Sequence, residues 1–565
     1  MVVKGMPPMD KVKLIVSLQI VATIKQSSNS LQNEKFAKIM CQILSVSGLS
    51  VMEAIEKLSL PNEDSSALPS LHILLQEEVH LLFSFLSHPS PEVLTETEPF
   101  CSRLISFAKT SPDKKYLSLL PQLASRFVAL VKYPEEYDPE DGEEEGEFLH
   151  VRSVFSRLLT SSGKCEMQVV ANLFSSLTGA LKDPKSTAPL DVELALHVLL
   201  IFGSLLWEKR KEPSKLQTLN ELLRQLVHSE VLAVDHTLVK FALIDIFSRF
   251  EKILPSDEQS LARVLQMLVS QRAILSQEGR VRRRACYCFS RLVLTFSSKL
   301  ESLVPHFATQ LRDLLVVRTD DKYVHSDDQS FLFDAFGKLL SEIKDLSKQQ
   351  LFMQQLAGPL LFQLHSLASD PTSHLSNMEN FRDVASRLLE AVGTFSKGFR
   401  TKEEGAATHV KLFFKGGLDS VTLLLSRFVS DDQIRDKCVF YLHRMVELLR
   451  EDVLPAVEQL TPVFFQKGKP QYMEDYLKWI SQIVNRIKSK KLEPLLSKII
   501  PTVLSTIIPL FGVENSPAVN SKTEEQREIL ELKKSYLGFV RAVVKSEFSS
   551  VLLSSKKTFP KKTNH

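Results

Sequence analysis

Apolar residues recur along nearly the whole chain with the 3.6-residue period of amphipathic helices. In the first clear example, the apolar positions on one helical face are Val281, Ala285, Cys288, Phe289, Leu292, Val293 and Phe296. In the second, they are Ile434, Cys438, Tyr441, Leu442, Met445, Val446 and Leu449. This spacing predicts helices that each bury one face.

Each of these segments is followed by a short junction and a second amphipathic segment that opens near a proline. Pro305 and Pro455 hold these positions, and Pro494 and Pro501 punctuate the next unit. Proline is tolerated in a first helical turn because its missing N–H would lack a partner there anyway. Helix pairs that repeat every ~40–47 residues are typical of HEAT or armadillo arrays. The sequence therefore predicts an all-α, HEAT-repeat superhelical solenoid of roughly eleven to thirteen pairs.

The composition agrees with helices and limits the class of protein. There are only 18 glycines among 565 residues, and no Asn-Gly or Asp-Gly turn joins alternating strands. The longest proline-free apolar run covers residues 194–207, which is shorter than the ~20 residues that cross a bilayer, so we expect no membrane insertion. Six scattered cysteines without a framework favour a reducing compartment.

Breaks in the helical pattern indicate how the chain is organised. Residues 133–147 are too charged and too rich in proline and glycine for a stable helix, and residues 401–417 contain three glycines. The predicted organisation is helical repeats over 1–132, an acidic loop at 133–147, HEAT repeats over 148–400, a looser insertion at 401–417, HEAT repeats over 418–553 and a basic disordered tail at 554–565.

The acidic loop is the first candidate binding segment. Residues 135–147 hold nine carboxylates and no base, and removing these from the net charge of +3 leaves +12 on the rest of the chain. A moderately basic chain can attract a polyanion, and an acidic segment can contact a basic protein surface. A solvated loop between repeats has the same composition, so both interpretations stay open. The candidate residues are Glu135, Glu136, Asp138, Glu140, Asp141, Glu143, Glu144 and Glu145.

A basic helix is the second candidate. At 100° per residue, one stripe beside its apolar face contains Arg280, Arg284, Tyr287 and Arg291. Arginines beside an aromatic ring suit phosphate contacts and base stacking. The alternative is that these arginines pair with acids on adjacent repeats and cover the edge of the core.

A third candidate lies at a predicted helix end near Gly398, where the basic residues are Lys397, Arg400 and Lys402. Such residues can contact phosphates. The helix dipole also favours cations at a helix C-terminus, and this alone can explain them.

Catalytic motifs are missing from the sequence. It has no P-loop, no G-x-S-x-G, no H-E-x-x-H and no dinucleotide-binding fingerprint. His197 lies in an apolar segment and is interpreted as a packed core residue rather than a ligand or a base. We therefore expect no enzyme activity, no cofactor and no metal site.

Six stretches occur in an order that points to a known family. They read EEYDPEDGEEEGEFLHVR, RVRRRACYCFSRLV, SDDQSFLFDAFGKLL, FSKGF, YLHRMVELLREDVLPAV and KKSYLGFVRAVV. Together they resemble the acidic loop and the helices of the exportin-T (tRNA exportin) family, within the importin-β or karyopherin superfamily. The resemblance covers most of the chain.

The resemblance implies a nuclear export receptor. Such a receptor binds tRNA together with RanGTP, contacts Phe-Gly nucleoporins and shuttles between nucleus and cytoplasm. The basic candidates above are then tRNA-binding residues, and the acidic candidates are contacts for Ran. The resemblance begins after the family's N-terminal Ran-binding arch and ends before its last repeats. A fragment, a truncated gene model and a reduced paralogue are the alternatives, and in each of them the acidic loop is expected to be a secondary Ran contact. The alternative is a protein-only HEAT scaffold or another karyopherin with protein cargo.

Overall fold

The computed structural model describes residues 6–17, 19–27, 31–60, 65–111, 114–137, 142–255, 257–318, 326–370, 377–399, 407–487, 489–511 and 524–554. These residues are almost entirely helical, and no strand occurs among them. The chain divides into two compact units, Met1–Arg263 and Val264–His565. The prediction of an all-α chain is confirmed.

The first unit is built from consecutive helices. In its described residues these are α1 (Pro8–Ser17), α2 (Ile20–Gln26), α3 (Glu34–Leu58), α4 (Leu68–Phe85), α5 (Pro91–Glu96), α6 (Glu98–Thr110), α7 (Leu120–Val131), α8 (Gly142–Cys165), α9 (Met167–Lys182), α10 (Pro189–Glu208), α11 (Pro213–His228) and α12 (Thr237–Arg249). A further helix, α13, covers Glu258–Leu268 and includes the boundary between the units.

The second unit continues in the same way. Its described helices are α14 (Gly279–Phe296), α15 (Val304–Leu311), α16 (Ser326–Ser341), α17 (Leu346–Leu356), α18 (Gly358–Ser369), α19 (Met378–Phe395), α20 (Thr408–Phe428), α21 (Asp432–Leu449), α22 (Leu454–Phe465), α23 (Pro470–Arg486), α24 (Leu492–Leu510), α25 (Glu524–Lys545) and α26 (Ser549–Ser554). Taken in chain order, the described helices form twelve pairs with α5 and α17 as extra turns, within the range that the repeat length predicts.

Within each unit the first helices of the pairs pack side by side, and we call them the A layer. In the first unit α1 packs on α3, α3 on α6, α6 on α8, α8 on α10 and α10 on α12. In the second unit the order is α14, α16, α19, α21, α23 and α25. The second helices form a B layer, which runs through α18, α20, α22, α24 and α26 in the second unit. Successive helices therefore cover one another along the A layer of each unit and along the B layer of the second unit.

Proline marks the start of several second helices, as predicted. Pro305 lies in the first turn of α15, and Pro455 lies in the first turn of α22. The next unit differs from the prediction, because α24 continues through both Pro501 and Pro509. An interior proline costs ~3 kcal/mol of helix stability. Packing compensates for this cost, since α24 buries Leu492, Leu495, Leu496, Ile499, Ile500, Val503 and Ile507.

The predicted acidic loop is shorter than expected. Helix α8 begins at Gly142, so the last six residues of the predicted loop, 142–147, are helical. Carboxylates in a first turn are stabilised by the positive end of the helix dipole, which a count of charges along the chain does not include. Carboxylates close together in a helix interior disfavour the helix, but the same carboxylates in the first turn of α8 favour it.

Within the described residues, three helices are long and apolar enough to cross a membrane by length and composition: α3, α10 and α24. Counting only unbroken apolar runs missed them. In the structure each packs on other helices of its own unit, α3 on α4, α10 on α9 and α24 on α22. Burial between helices explains most of the apolar character of α10, where 67% of the most apolar window is buried. The absence of membrane insertion stays a prediction.

Gly417 lies inside α20, where the sequence predicted a looser insertion. A Cβ on Gly417 would overlap Tyr441 Oη and lie 2.9 Å from Leu361 Cδ2. Tyr441 is fully buried, and its hydroxyl donates to the Phe414 carbonyl at 2.9 Å, which fixes the ring in place. Close packing between helices therefore explains this glycine. Residues 401–406 of the predicted insertion lie outside the described residues.

The adjacent Gly416 gives a matched test, because a Cβ there would meet nothing within 4 Å. We expect Gly417→Ala to lower the free energy of unfolding by about 1–3 kcal/mol through overpacking. We expect Gly416→Ala to raise it by about 0.5–1 kcal/mol, because alanine has the higher helix propensity. Urea unfolding followed by circular dichroism measures both. Equal midpoints for the two variants would contradict the packing argument.

A buried carboxyl group lies between α3 and α4 in the first unit. Glu78 has no exposed surface, and Ser47 donates a hydrogen bond to its Oε1. Burial raises the pKa of Glu78 to about 7, and the hydrogen bond from Ser47 offsets only part of that effect. The folded chain therefore holds this proton at a pH where the unfolded chain has released it.

This raised pKa has a defined effect on stability. The contribution of Glu78 is most favourable below about pH 4.5 and declines as the pH rises to about 7, because ionisation in the folded state costs desolvation. We expect Glu78→Gln to raise the free energy of unfolding at pH 8 by about 3 kcal/mol relative to wild type, and by much less at pH 4.5. Urea unfolding at both pH values measures the difference. Glu77→Gln, at a surface residue bonded to Lys25, is the control and should not change the pH slope.

Candidate nucleic-acid interface

Helix α14 carries the predicted arginine stripe. Its buried residues include all seven apolar positions that the periodicity predicted. Arg280, Arg284 and Arg291 are exposed, and Tyr287 is 44% exposed. The edge of the Tyr287 ring packs against Phe331 of α16, with ring centroids 5.4 Å apart. The structure therefore brings the four residues together on one solvent-facing stripe, anchored at its centre by an aromatic contact.

The two arginines inside the same motif have a different role. Arg283 Nε lies 3.2 Å from Oδ1 of Asp328, which is 1% exposed on α16. Arg282 Nη1 donates to the carbonyls of Ser276 and Gln277 at 2.8 and 2.9 Å. Pairing with an acid on the adjacent repeat is thus observed for Arg283, which the sequence analysis did not single out. In the sequence, the feature that could have indicated this ion pair was Asp328, the second acid of the S-D-D-Q stretch.

Gln329, the last residue of that stretch, connects three segments. Its Nε2 donates to the carbonyls of Leu314 and Val316 at 2.9 and 3.0 Å. Its Oε1 accepts from Nη2 of Arg387 on α19 at 3.3 Å, and Arg387 also donates to the Arg318 carbonyl at 2.8 Å. Gln329 and Arg387 are both buried. The motif therefore joins α14, α16 and α19 and positions the surface stripe.

Replacing the side-chain amide of Gln329 should destabilise the contacts that join α16 to its neighbours. Gln329→Leu would leave one buried carbonyl, one half-buried carbonyl and a buried guanidinium without their present partner. We expect the free energy of unfolding to fall by about 2–4 kcal/mol, because buried polar groups then lose hydrogen bonds. Urea unfolding measures the loss. Gln350→Leu, on the exposed surface of α17, is the matched control and should change stability little.

Lys397 lies in the turn Ser396–Phe399, directly after α19, and is half-buried. Its Nζ lies 5.9 Å from the centroid of the Phe440 ring. The turn lies directly against the backbone of α16, since a Cβ on Gly398 would overlap the backbone of Gly337. Glycine is the residue that allows this close approach. Helices α14 and α19 both pack on α16, so the stripe and Lys397 belong to elements separated by one helix of the A layer. Arg400 and Lys402 lie outside the described residues.

One acidic candidate, Glu145, contacts an aromatic cluster. Glu135 and Glu136 are exposed, and Glu145 Oε1 accepts a hydrogen bond from Tyr137 Oη at 3.1 Å. The Tyr137 ring packs against Tyr133 and Phe148, with centroids 4.6 and 5.5 Å away. Both ends of the acidic segment are thus tied to the fold. Asp138, Glu140 and Asp141, and the side chains of Glu143 and Glu144, lie outside the described residues.

One pocket tests the alternative of an enzyme. It has a volume of about 580 Å³ on the exposed side of α8, and Ser156 Oγ lies there 2.8 Å from His197 Nε2. Burial, with a smaller effect of the Arg152 charge, holds the pKa of His197 well below its ordinary value, so it is a weak base. Glu193 accepts both of its hydrogen bonds from Arg152, at 2.6 and 3.3 Å, so this carboxylate is engaged by the guanidinium. Ser156 and His197 lie within hydrogen-bond distance, but a base this weak activates a hydroxyl poorly.

Metal ligation has no candidate in the part of the chain that the structure describes. No group of three His, Cys, Asp or Glu side chains there could hold a metal ion. All six cysteines are free, and five of them are buried. Burial raises the pKa of the Cys41 thiol to about 12, which keeps it protonated and unreactive.

Comparison with solved structures defines the class of protein. A structure described as importin-13 in its cytosolic state matches 97% of this chain and 68% of its own chain, with a TM-score of 0.62 and 13% identity. The chain therefore has the HEAT-repeat solenoid fold that the periodicity predicted.

Comparison of sequences gives the family. The model of the Exportin-T family matches residues 69–560, so this chain belongs to the Exportin-T family. Exportin-T of Mus musculus is 25% identical over 569 residues, and Exportin-T of Arabidopsis thaliana is 25% identical over 591 residues. These matches cover 97% and 98% of this chain but 58% of each relative. The resemblance drawn from the six sequence motifs is confirmed.

Proposed function

We propose that this chain is a tRNA nuclear export receptor of the exportin-T type, which binds tRNA together with RanGTP and carries it through the nuclear pore. Membership of the Exportin-T family over residues 69–560 is the observation that carries the proposal. The exposed arginine stripe of α14 supports it, because a receptor for a polyanion needs cations on its surface. The fold class agrees, since importin-13 shares it.

The tRNA contact follows from the chemistry of the stripe. Arg280, Arg284 and Arg291 offer planar guanidinium groups that suit phosphate oxygens, and Tyr287 offers a ring face for stacking. RNA duplexes are recognised mainly by shape and by backbone position, which suits a rigid row of cations. Lys397, Arg400 and Lys402 are the second proposed group of tRNA-binding residues.

The acidic segment is the proposed contact for Ran. Glu135 and Glu136 present exposed carboxylates, and the aromatic cluster beneath them holds the segment in place. If Ran bound to GTP raises the affinity for tRNA, then tRNA must raise the affinity for Ran by the same factor. In this proposal the nucleotide belongs to Ran, and the receptor needs no cofactor and catalyses no reaction. Phe-Gly nucleoporins are the proposed contacts in the pore, and the receptor shuttles between nucleus and cytoplasm.

The arginine stripe can be tested directly. We expect the triple variant Arg280→Gln, Arg284→Gln, Arg291→Gln to bind tRNA at least about tenfold more weakly at 100 mM salt. We also expect the slope of log affinity against log salt to fall by about one for each lost phosphate contact. Titration of labelled tRNA at several salt concentrations, with and without GTP-loaded Ran, measures both quantities.

A matched variant controls for net charge. Lys344, Lys348 and Lys415 are exposed lysines on or beside α17 and α20, and their exchange for glutamine removes the same three charges. This variant should keep most of the tRNA affinity. If both triple variants lose affinity equally, the stripe is not the tRNA contact. If wild type binds tRNA without salt dependence, the protein-cargo alternative replaces the proposed function.

A further inference from the structure

The C-terminal ends of successive A helices meet at one side of the first unit. Thr110, the last residue of α6, donates a hydrogen bond to Glu56 near the end of α3, with 3.4 Å between Oγ1 and Oε1. Lys164 Nζ, near the end of α8, lies 3.0 Å from Oε1 of Glu208, the last residue of α10. The ends of α3 and α6, and those of α8 and α10, are therefore neighbours.

Two further contacts connect these neighbours into one row. Burial raises the pKa of the Cys165 thiol at the end of α8, and the charge of Lys109 in the last turn of α6 offsets part of that effect, so the two residues are close. A Cβ on Gly203 of α10 would lie 2.8 Å from Cζ of Phe250, the residue directly after α12. Helices α3, α6, α8, α10 and α12 therefore end along one line, which we call the A-helix edge.

The A-helix edge has exposed cations at every one of its five helix ends. They are Lys57, Lys109, Lys114, Lys115, Lys164, Lys209, Arg210, Lys211, Arg249 and Lys252. Lys164 is paired with Glu208, and the other nine form no ion pair with a residue that the structure describes. Among the described residues of these ends, the exposed carboxylates are only three: Glu166, Glu208 and Glu212. The edge is therefore a row of positive charge.

The helix dipole explains only part of this charge. Lys57 and Lys109 lie in last turns, where the dipole favours a cation. The effect falls off beyond the last turn, whereas Lys114, Lys115 and Lys211 follow the helix ends. Cations that lack carboxylate partners repel one another, and a bound polyanion would relieve that repulsion. The row therefore indicates an anionic ligand that extends over several helix ends.

The aromatic residues of the edge indicate which form of polyanion it suits. Tyr116 and Phe250 are 2% and 1% exposed, so neither ring can stack on a base. Trp207 is half-buried, and the guanidinium of Arg210 lies over its ring, 4.7 Å from the centroid. Single-stranded nucleic acids are held largely by stacking of bases on aromatic rings, whereas double-helical RNA is contacted at its phosphates and 2′-hydroxyls. Cations without an open ring therefore suit a duplex.

We propose that the A-helix edge binds the phosphate backbone of double-helical RNA. The proposal rests on the function proposed above, in which that RNA is a tRNA, and it adds a contact in the first unit to the arginine stripe of the second. Lysines contact phosphates as point charges, so the edge fixes the position of the duplex without reading its sequence. Each phosphate that it neutralises releases counterions, which makes the contact dependent on salt.

The experiment uses the full chain, a fluorescein-labelled RNA duplex of about 20 base pairs and labelled tRNA. The triple variant Lys57→Gln, Lys109→Gln, Lys211→Gln removes one cation from each of three helix ends. We expect it to bind the duplex at least about fivefold more weakly at 100 mM salt. The slope of log affinity against log salt should fall by about one for each lost phosphate contact. Exchange of the same three lysines for arginine should keep the affinity, because the charges stay.

A matched variant removes three exposed lysines from the opposite ends of the helices. Lys35 lies in the first turn of α3, and Lys182 and Lys185 lie at the end of α9 and in the turn before α10. Their exchange for glutamine removes the same charge from the same unit and should leave binding of the duplex as in wild type. Equal losses in the two glutamine variants, or no loss in the edge variant, would overturn the proposal.

Two competitors test the form of the ligand. Single-stranded oligouridine at equal phosphate concentration should displace the duplex poorly, and so should poly-glutamate at equal charge. Equal competition by oligouridine would overturn the assignment to a duplex, and equal competition by poly-glutamate would overturn it in favour of an acidic protein.

Failure of this contact and failure of the proposed function give different results. A chain that binds the duplex through the edge lysines but does not bind tRNA would contradict the proposed function and support the contact. Equal binding of tRNA and of the duplex by wild type and by the edge variant, with the fold verified by circular dichroism, would overturn the contact and leave the proposed function in place.

Discussion

Side-by-side packing of successive A helices is the constraint on which the rest of the structure depends. One helix pair cannot bury both of its faces, so each A helix must match the next. Helix α16 shows how close the match is, because it meets α14 through Asp328 and α19 through Gln329, and it accepts the backbone of Gly398 against Gly337. The position of the arginine stripe of α14 therefore depends on the contacts between α14 and α16.

Further along the A layer, an ion pair connects α21 to α23. Arg435 of α21 is fully buried, contacts Asp475 of α23 at 3.2 Å and lies 4.5 Å from the centroid of Tyr472. Burial raises the pKa of Asp475 even though Arg435 partly offsets the effect. Taking both charges out of water costs about as much as their attraction returns, so such pairs add little net stability. Separating the two partners leaves a buried charge without compensation, which costs several kcal/mol. The pair therefore favours the one alignment of neighbouring helices in which both partners meet.

The sequence predicts the buried faces well and the contacts between helices poorly. Apolar period alone identified seven of the nine buried residues of α14 and missed Cys286 and Ser290, because one helix decides that pattern. It could not identify the ion pair of Arg283, since the partner Asp328 is 45 positions away and belongs to another helix. Gly417 was misassigned for the same reason, because only Tyr441 explains it. The His197–Ser156 contact also requires the third dimension.

The uneven distribution of charge gives the chain segments of opposite sign. A net charge of +3 hides a segment of nine carboxylates in the first unit and an exposed row of arginines in the second. Screening limits each field to about 8–10 Å at ordinary ionic strength, so each surface acts only on what comes close to it. A charged surface attracts any partner of opposite charge. Apolar walls beside the charges add contacts that depend on the shape of the partner. The rings of Tyr133, Tyr137 and Phe148 provide such walls beside Glu145, whereas the arginines of α14 lie on an exposed helix face.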